Sequence, residues 1–172
     1  MNPSLHVYTY KDGLLSRLAH DLRLHVARFG VALADGRVRV RVDPVSARVD
    51  GVPRGETIDP DAISIRDRRI IEATIVRDVL GGGPLLFEGA VAGESVRGRL
   101  TMNGREVPLD VPVLVASGGL VVDTEIVPSR WGVAPYRALA GAIRLQDRWR
   151  VRLVLPWEGG ALREGSASWD AG

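Results

Sequence analysis

The chain is predicted to be all-β, an antiparallel barrel of about eight strands with one amphipathic helix capping or flanking it. Three observations lead there. Apolar and polar residues alternate with a period of two along most of the sequence. Short Gly- and Asn-containing connections separate the alternating runs. A single stretch, between residues 59 and 80, changes to helical spacing.

Strict alternation sends one set of side chains to a core and the other to water. Its clearest instance is Arg37–Val42, where Val38, Val40 and Val42 share one face and Arg37, Arg39 and Arg41 the other. It returns at Arg148–Leu155, with Trp149, Val151, Leu153 and Leu155 inward. Comparable runs cover 5–10, 20–29, 45–50, 85–91, 95–102, 107–115 and 120–127. The connections Ala34-Asp35-Gly36, Ala92-Gly93-Glu94, Asn103-Gly104 and Ser117-Gly118-Gly119 are short enough to require antiparallel neighbours, and Asn-Gly is a strong hairpin signal. Pro108 and Pro112 lack N–H groups on the same side of one strand, so that strand must be bulged or locally unpaired there.

In the helical stretch, Ile71, Ile75 and Val79 recur every four residues with Val76 and Leu80 beside them, opposite Arg68, Arg69 and Glu72. Asp59-Pro60 suits an N-cap and first helical residue, and Gly81-Gly82-Gly83-Pro84 a stop. A shorter turn or helix is expected at 12–17. So many strands favour a sheet closed on itself, since closure removes aggregation-prone edges; a sandwich is the alternative.

The 172 residues are enough for one core. Residues 1–157 read as a single domain and 158–172, rich in Gly, Ala and Ser around Trp169, as a weakly ordered tail. At 45% hydrophobic and 26% charged, the composition is globular. No apolar run approaches the roughly 20 residues of a membrane-spanning helix. No secretory signal is visible at the start, so the expected compartment is the cytoplasm, or the periplasm if a signal was removed. With no cysteine, disulfides, thiolate metal sites and a cysteine nucleophile are excluded. The pI near 9.5 beside a net charge of +2 reflects arginine, Lys11 being the one lysine. These cations are interleaved with acids rather than clustered, which argues against nucleic acid as a partner.

Catalytic chemistry finds little support. No Gly-x-Ser-x-Gly elbow occurs, and Gly81–Gly83 follow a helix rather than opening one, unlike a phosphate loop. His20 and His25 fall on opposite faces of a strand and cannot share a metal ion without a bulge. His20 shares the parity of Leu22, Leu24 and Val26, where it would either satisfy a backbone carbonyl or meet a ligand's polar head. No cofactor and no metal are expected.

Some segments carry a family resemblance. Gly13–Leu22 resembles the opening Gly-Leu-Leu…Gly-His-Asp/Asn segment of one branch of the YceI-like proteins, with Ala19 in place of a glycine. The stretch 67–80 is similar to the family's helix, and Pro84-Leu85-Leu86-Phe87 stands where a Tyr-Pro-x-Ile-x-Phe strand usually follows, without the tyrosine. Gly98-Arg99-Leu100-Thr101 through Val113 resembles the family's Gly-x-Leu-Thr-x-x-Gly-x-x-x-Pro hairpin, and Ser129-Arg130-Trp131-Gly132-Val133 the turn before its last strand. The resemblance spans 5–155. It implies a lipocalin-like barrel in a bacterial protein, with a helix over one opening and a polyisoprenoid or similar amphiphile inside.

Two readings of the inward faces follow. In the first, His20, Leu22, Leu24, Val26, Val40, Leu100, Met102, Trp149 and Val151 line a cavity for an apolar or amphiphilic ligand (isoprenoid, quinone or fatty chain), with Trp131, Tyr136 and Arg137 near its head group. The protein is then a non-catalytic carrier. In the second, the same residues pack solid and the barrel serves structure or protein interaction, a homodimer through strand surfaces or the helix being one such arrangement. Aromatics at 5% and mid-sized inward residues favour space inside. An enzyme using His20 with Asp21 would be revealed by His20→Ala abolishing turnover in a folded protein.

Overall fold

The computed structural model describes residues 2–12, 20–79, 83–138, 143–158 and 161–162. The expected turn at 12–17, most of the Gly13–Leu22 motif, the helix end at Leu80–Gly82 and the tail beyond Leu162, with Trp169, lie outside them.

The predicted strands form, as β1 (Ser4–Lys11), β2 (Leu22–Val26), β4 (Arg37–Val42), β5 (Ala47–Arg54), β7 (Leu85–Ala92), β8 (Ser95–Met102), β9 (Arg105–Ala116), β10 (Gly119–Ile126) and β12 (Ile143–Glu158). Four were not foreseen: β3 (Phe29–Ala34), since the run expected at 20–29 ends at Val26 and a new strand starts at Phe29, and the short β6 (Thr57–Asp59), β11 (Arg137–Ala138) and β13 (Ala161–Leu162), the last pairing back onto Trp157 and Glu158. All pairings are antiparallel, in the order β3-β4-β7-β8-β9-β10-β12-β1-β2-β5-β6.

The fold is barrel-like, but the hydrogen-bonded path is open rather than ringed, which corrects the expectation of a closed sheet. One bent hairpin supplies both flanks of the path, with the short β6 added beyond β5. Its arms are β2 with β3 and β4 with β5. Each arm is interrupted at the same level, by Ala27–Arg28 on one side and the 3-10 turn Pro44–Ser46 on the other. Across the bend the Ala27 N–H donates to the Ser46 carbonyl (3.3 Å) and the Asp43 N–H to the Arg28 carbonyl (3.0 Å). The Ser46 hydroxyl accepts from the Arg28 N–H (2.9 Å). Val45, expected in a strand, sits in this turn. The bend lets β2 and β5 stay beside β1 while β3 and β4 swing across to β7.

The tight turns match the chemistry of the sequence. Asn103 (φ 51) and Gly104 (φ 69) both adopt the left-handed conformation of a two-residue hairpin whose twist matches its strands. Gly98 is held for a different reason. Any Cβ there would lie 2.4 Å from the Glu88 carbonyl and 2.6 Å from the Phe87 ring, which rests against it. The two prolines of β9 behave as their missing donors require. β9 pairs with β8 along Arg105–Pro112, but with β10 only over Val113–Ala116. The Val113 N–H points to β8; alternation therefore turns the nitrogens of Pro108 and Pro112 toward the unpaired side.

The helix α1 (Ile65–Thr74) starts later than expected. β6 runs to Asp59, so Asp59 ends a strand, and the N-cap is Ser64, whose hydroxyl accepts from the Asp67 N–H (3.1 Å) and donates to its carboxylate (2.7 Å). Wider π-type turns continue through Ile75–Val79. Ile71 and Ile75 pack on Leu22, Leu24, Val49, Val52 and Ile63. Beyond the bend β5 lacks the β7 neighbour that β4 has, and helix side chains serve that edge: Glu72 accepts from the Val49 N–H (2.9 Å) and Arg68 donates to the Val49 carbonyl (3.3 Å).

Candidate functional site

The inward faces of the strands enclose a cavity of about 1420 Å³. This is larger than the roughly 300–1,000 Å³ typical of small-molecule pockets. The longer strands contribute by parity, for example Leu5, Val7 and Thr9 from β1; Leu22, Leu24 and Val26 from β2; Val38, Val40 and Val42 from β4; Val122, Thr124 and Ile126 from β10; Trp149, Val151 and Leu153 from β12. Ile70, Ile71 and Ile75 close over one end from the helix side, and Leu33, Val91 and Leu114 stand at the other beside the turns. At about 30 Å³ per water-sized group, the space corresponds to about fifty non-hydrogen atoms.

The burial pattern carries the signature of an unfilled interior. In a packed barrel Val38, Val40 and Val42 would be fully buried, yet all three remain half-exposed although they point inward, as do Val31, Phe87, Leu120, Val122 and Val151. Close packing is confined to clusters. One surrounds Leu5, Val26, Phe29, Leu153 and Leu155; another surrounds Met102, Ile126 and Val133 with Trp131 at its centre.

Of the residues singled out from sequence, His20, Leu22, Leu24, Val26, Val40, Leu100, Met102, Tyr136, Trp149 and Val151 all line this cavity. His20 does so from an exposed position at the rim, not from within the apolar wall. Trp131 is a correction: it does not line the lumen. Its side chain is 0% exposed and its indole N–H donates to the Leu100 carbonyl at 2.7 Å, with the Arg130 guanidinium 5.6 Å from the ring. The 3-10 turn Pro128–Trp131 places this indole against the end of β9 that β10 leaves unpaired, so the aromatic serves packing. Arg137, placed near a head group by sequence, is exposed on β11 and is not part of the wall.

Within the wall, Thr9 is 7% exposed, and its hydroxyl is a buried polar atom with no hydrogen-bond partner among the described residues. Asp147 accepts from the Ser129 N–H (3.0 Å) and Gln146 donates to the Lys11 carbonyl (2.9 Å), so these two polar wall residues also tie down neighbouring segments.

The outer face holds a cluster that sequence reading missed. A register shift between β2 and β5 makes Asp50 an extra residue. Its carboxylate accepts from the Arg23 Nε (2.7 Å) and meets the His25 Nδ1 (2.5 Å), with the His6 Nε2 at 3.9 Å. His6 and His25 are direct cross-strand partners, a pairing that sequence spacing does not disclose. Burial, and next the Arg23 cation, push the His6 imidazole below its ordinary pKa against the opposing pull of Asp50. Among the described residues no group of three or more His, Asp or Glu side chains is arranged to hold a metal ion. On the adjoining strands Arg150 grips Asp123 through two 2.6 Å hydrogen bonds, and Arg148 lies 4.3 Å from the ring of Tyr10. Hydrogen bonding from Arg150 holds the Asp123 carboxyl below its usual range.

The crystal structure of Burkholderia cenocepacia BcnA matches 88% of this chain and 93% of its own, with a TM-score of 0.61 and 15% sequence identity. The fold is lipocalin-like. At that identity the likeness concerns architecture alone. No family model and no curated protein matches the sequence, so the YceI-like resemblance stands on its motifs. No helix among the described residues is long and apolar enough to cross a membrane.

Proposed function

We propose that the protein is a non-catalytic carrier that encloses an apolar or amphiphilic molecule, an isoprenoid, quinone or fatty chain, within its lumen. The observation that carries this reading is the set of inward valines and leucines left half-exposed onto a void of about 1420 Å³. Removing a methylene from water is favourable by about 0.8 kcal/mol, so a long chain needs no special polar contact to be held. The likeness of fold to a lipocalin-type barrel is consistent with this use. The motifs resembling YceI-like proteins favour a polyisoprenoid among such chains. The alternative of a filled structural barrel has no comparable support, because a filled core leaves no reason for inward side chains to stay accessible.

Organic extraction of the purified protein followed by mass spectrometry, with native mass spectrometry of the intact complex, is the direct test. A co-purifying amphiphile, or binding of an added isoprenoid alcohol at one molecule per chain, is the expected result. Empty preparations that also fail to bind fluorescent apolar probes would reject the carrier.

A further inference from the structure

The charges on the lumen wall are of one kind. The chain has 23 Lys and Arg residues, yet among the described residues not one of them lines the cavity. Three carboxylate side chains do. Asp67, on α1, and Asp147, beside Ser129, stand at the helix end, whereas Glu94 belongs to the β7–β8 turn at the opposite end. A molecule entering from either end therefore meets a carboxylate, and among the described residues no guanidinium or ammonium lines the cavity to receive an anion. Of the other polar wall groups, Thr124, Tyr136 and Gln146 are neutral, and His20 at the rim is the one imidazole among the described lining residues.

Resting on the carrier reading, we infer that the lumen discriminates by head-group charge: it takes neutral or amine-bearing amphiphiles and rejects carboxylates and phosphates of the same chain length. The physical cause has two parts. An anion drawn into apolar surroundings loses its hydration, and only a paired cation offsets that loss. Here the nearby fixed charges are negative, Asp147 half-buried and Asp67 and Glu94 exposed at the two mouths, so Coulomb repulsion adds to the cost of entry, most strongly at low ionic strength. For an alcohol neither contribution arises, and for an ammonium the second changes sign.

The test uses three probes with one tail, lauryl alcohol, laurylamine and laurate, each displacing an uncharged fluorescent apolar dye from the full-length protein. Measurements are made at pH 8, above the range in which imidazoles usually charge. The alcohol and the amine are expected to compete at concentrations at least about tenfold lower than laurate, a factor worth about 1.4 kcal/mol. The triple variant Asp67→Asn, Glu94→Gln, Asp147→Asn should bring laurate several-fold closer to the alcohol, the ratio of the two being read within the same variant. Laurate competing as well as the alcohol in the unmodified protein, or a triple variant that leaves the gap intact, would overturn charge selection while the carrier reading stands. Failure of the dye and of all three probes to bind would instead remove the carrier reading, and this inference with it.

Discussion

His6 shows how one side chain writes its surroundings into the stability of the fold. Its folded-state pKa lies below the ordinary 6.5 because burial, then the Arg23 cation, disfavours its charged form. The unfolded chain therefore takes up a proton first as the pH drops. Stability should fall as the pH decreases from about 6.5 towards the lower folded-state value and level off beneath it. In His6→Asn this part of the slope should vanish, as read from denaturant midpoints between about pH 5 and 8. Trp131 makes the complementary case. Being fully enclosed and hydrogen-bonded to Leu100, it should cost about 3–5 kcal/mol when changed to Ala, seen as a lower unfolding midpoint. A wall residue such as Val40 should lose far less. An indole belonging to the ligand site would show the opposite balance, with affinity lost and stability kept.

Elements in this chain are specified locally where one residue type can satisfy only one geometry. Alternating Arg and Val at 37–42 cannot bury a helical stripe, and the strand forms there as expected. Asn103-Gly104 likewise permits two successive left-handed residues. The start of α1 was obscured because Asp59-Pro60 imitates a cap, while the pairing of Thr57–Asp59 with Val52–Arg54 that excludes it is invisible along the sequence. Ser64 is the working cap. Ser64→Ala should lower stability by about 1 kcal/mol in thermal or denaturant unfolding, whereas Asp59→Ala, at the end of β6, should leave the helix start intact. The bend at Ala27–Arg28 was hidden for a similar reason. It depends on Ser46 meeting the Arg28 backbone from 18 residues away, and no local signal announces such a contact.

For the whole molecule, alternation tells which way a side chain points but not how far away the opposite wall stands. The lining residues were therefore legible and the lumen was not. Its width depends on strand stagger and on inward residues without bulk, such as Gly98, packed against Phe87. A void of this size can be filled on purpose. The double variant Val40→Phe, Val122→Phe should fold with equal or higher stability, since added apolar atoms find empty space in place of a packed core. It should also lose most of its capacity for apolar dyes. A large drop in unfolding midpoint would show instead that these positions are already tightly packed.

The two hydrogen bonds from Glu72 and Arg68 to Val49 bear on what the edge of β5 offers to other chains. By occupying main-chain groups that another extended segment would seek, α1 acts as a chaperone for its own sheet. Loosening it to widen the entrance would expose a template for intermolecular pairing, so the double variant Glu72→Ala, Arg68→Ala should scatter light on gentle warming well before its barrel melts.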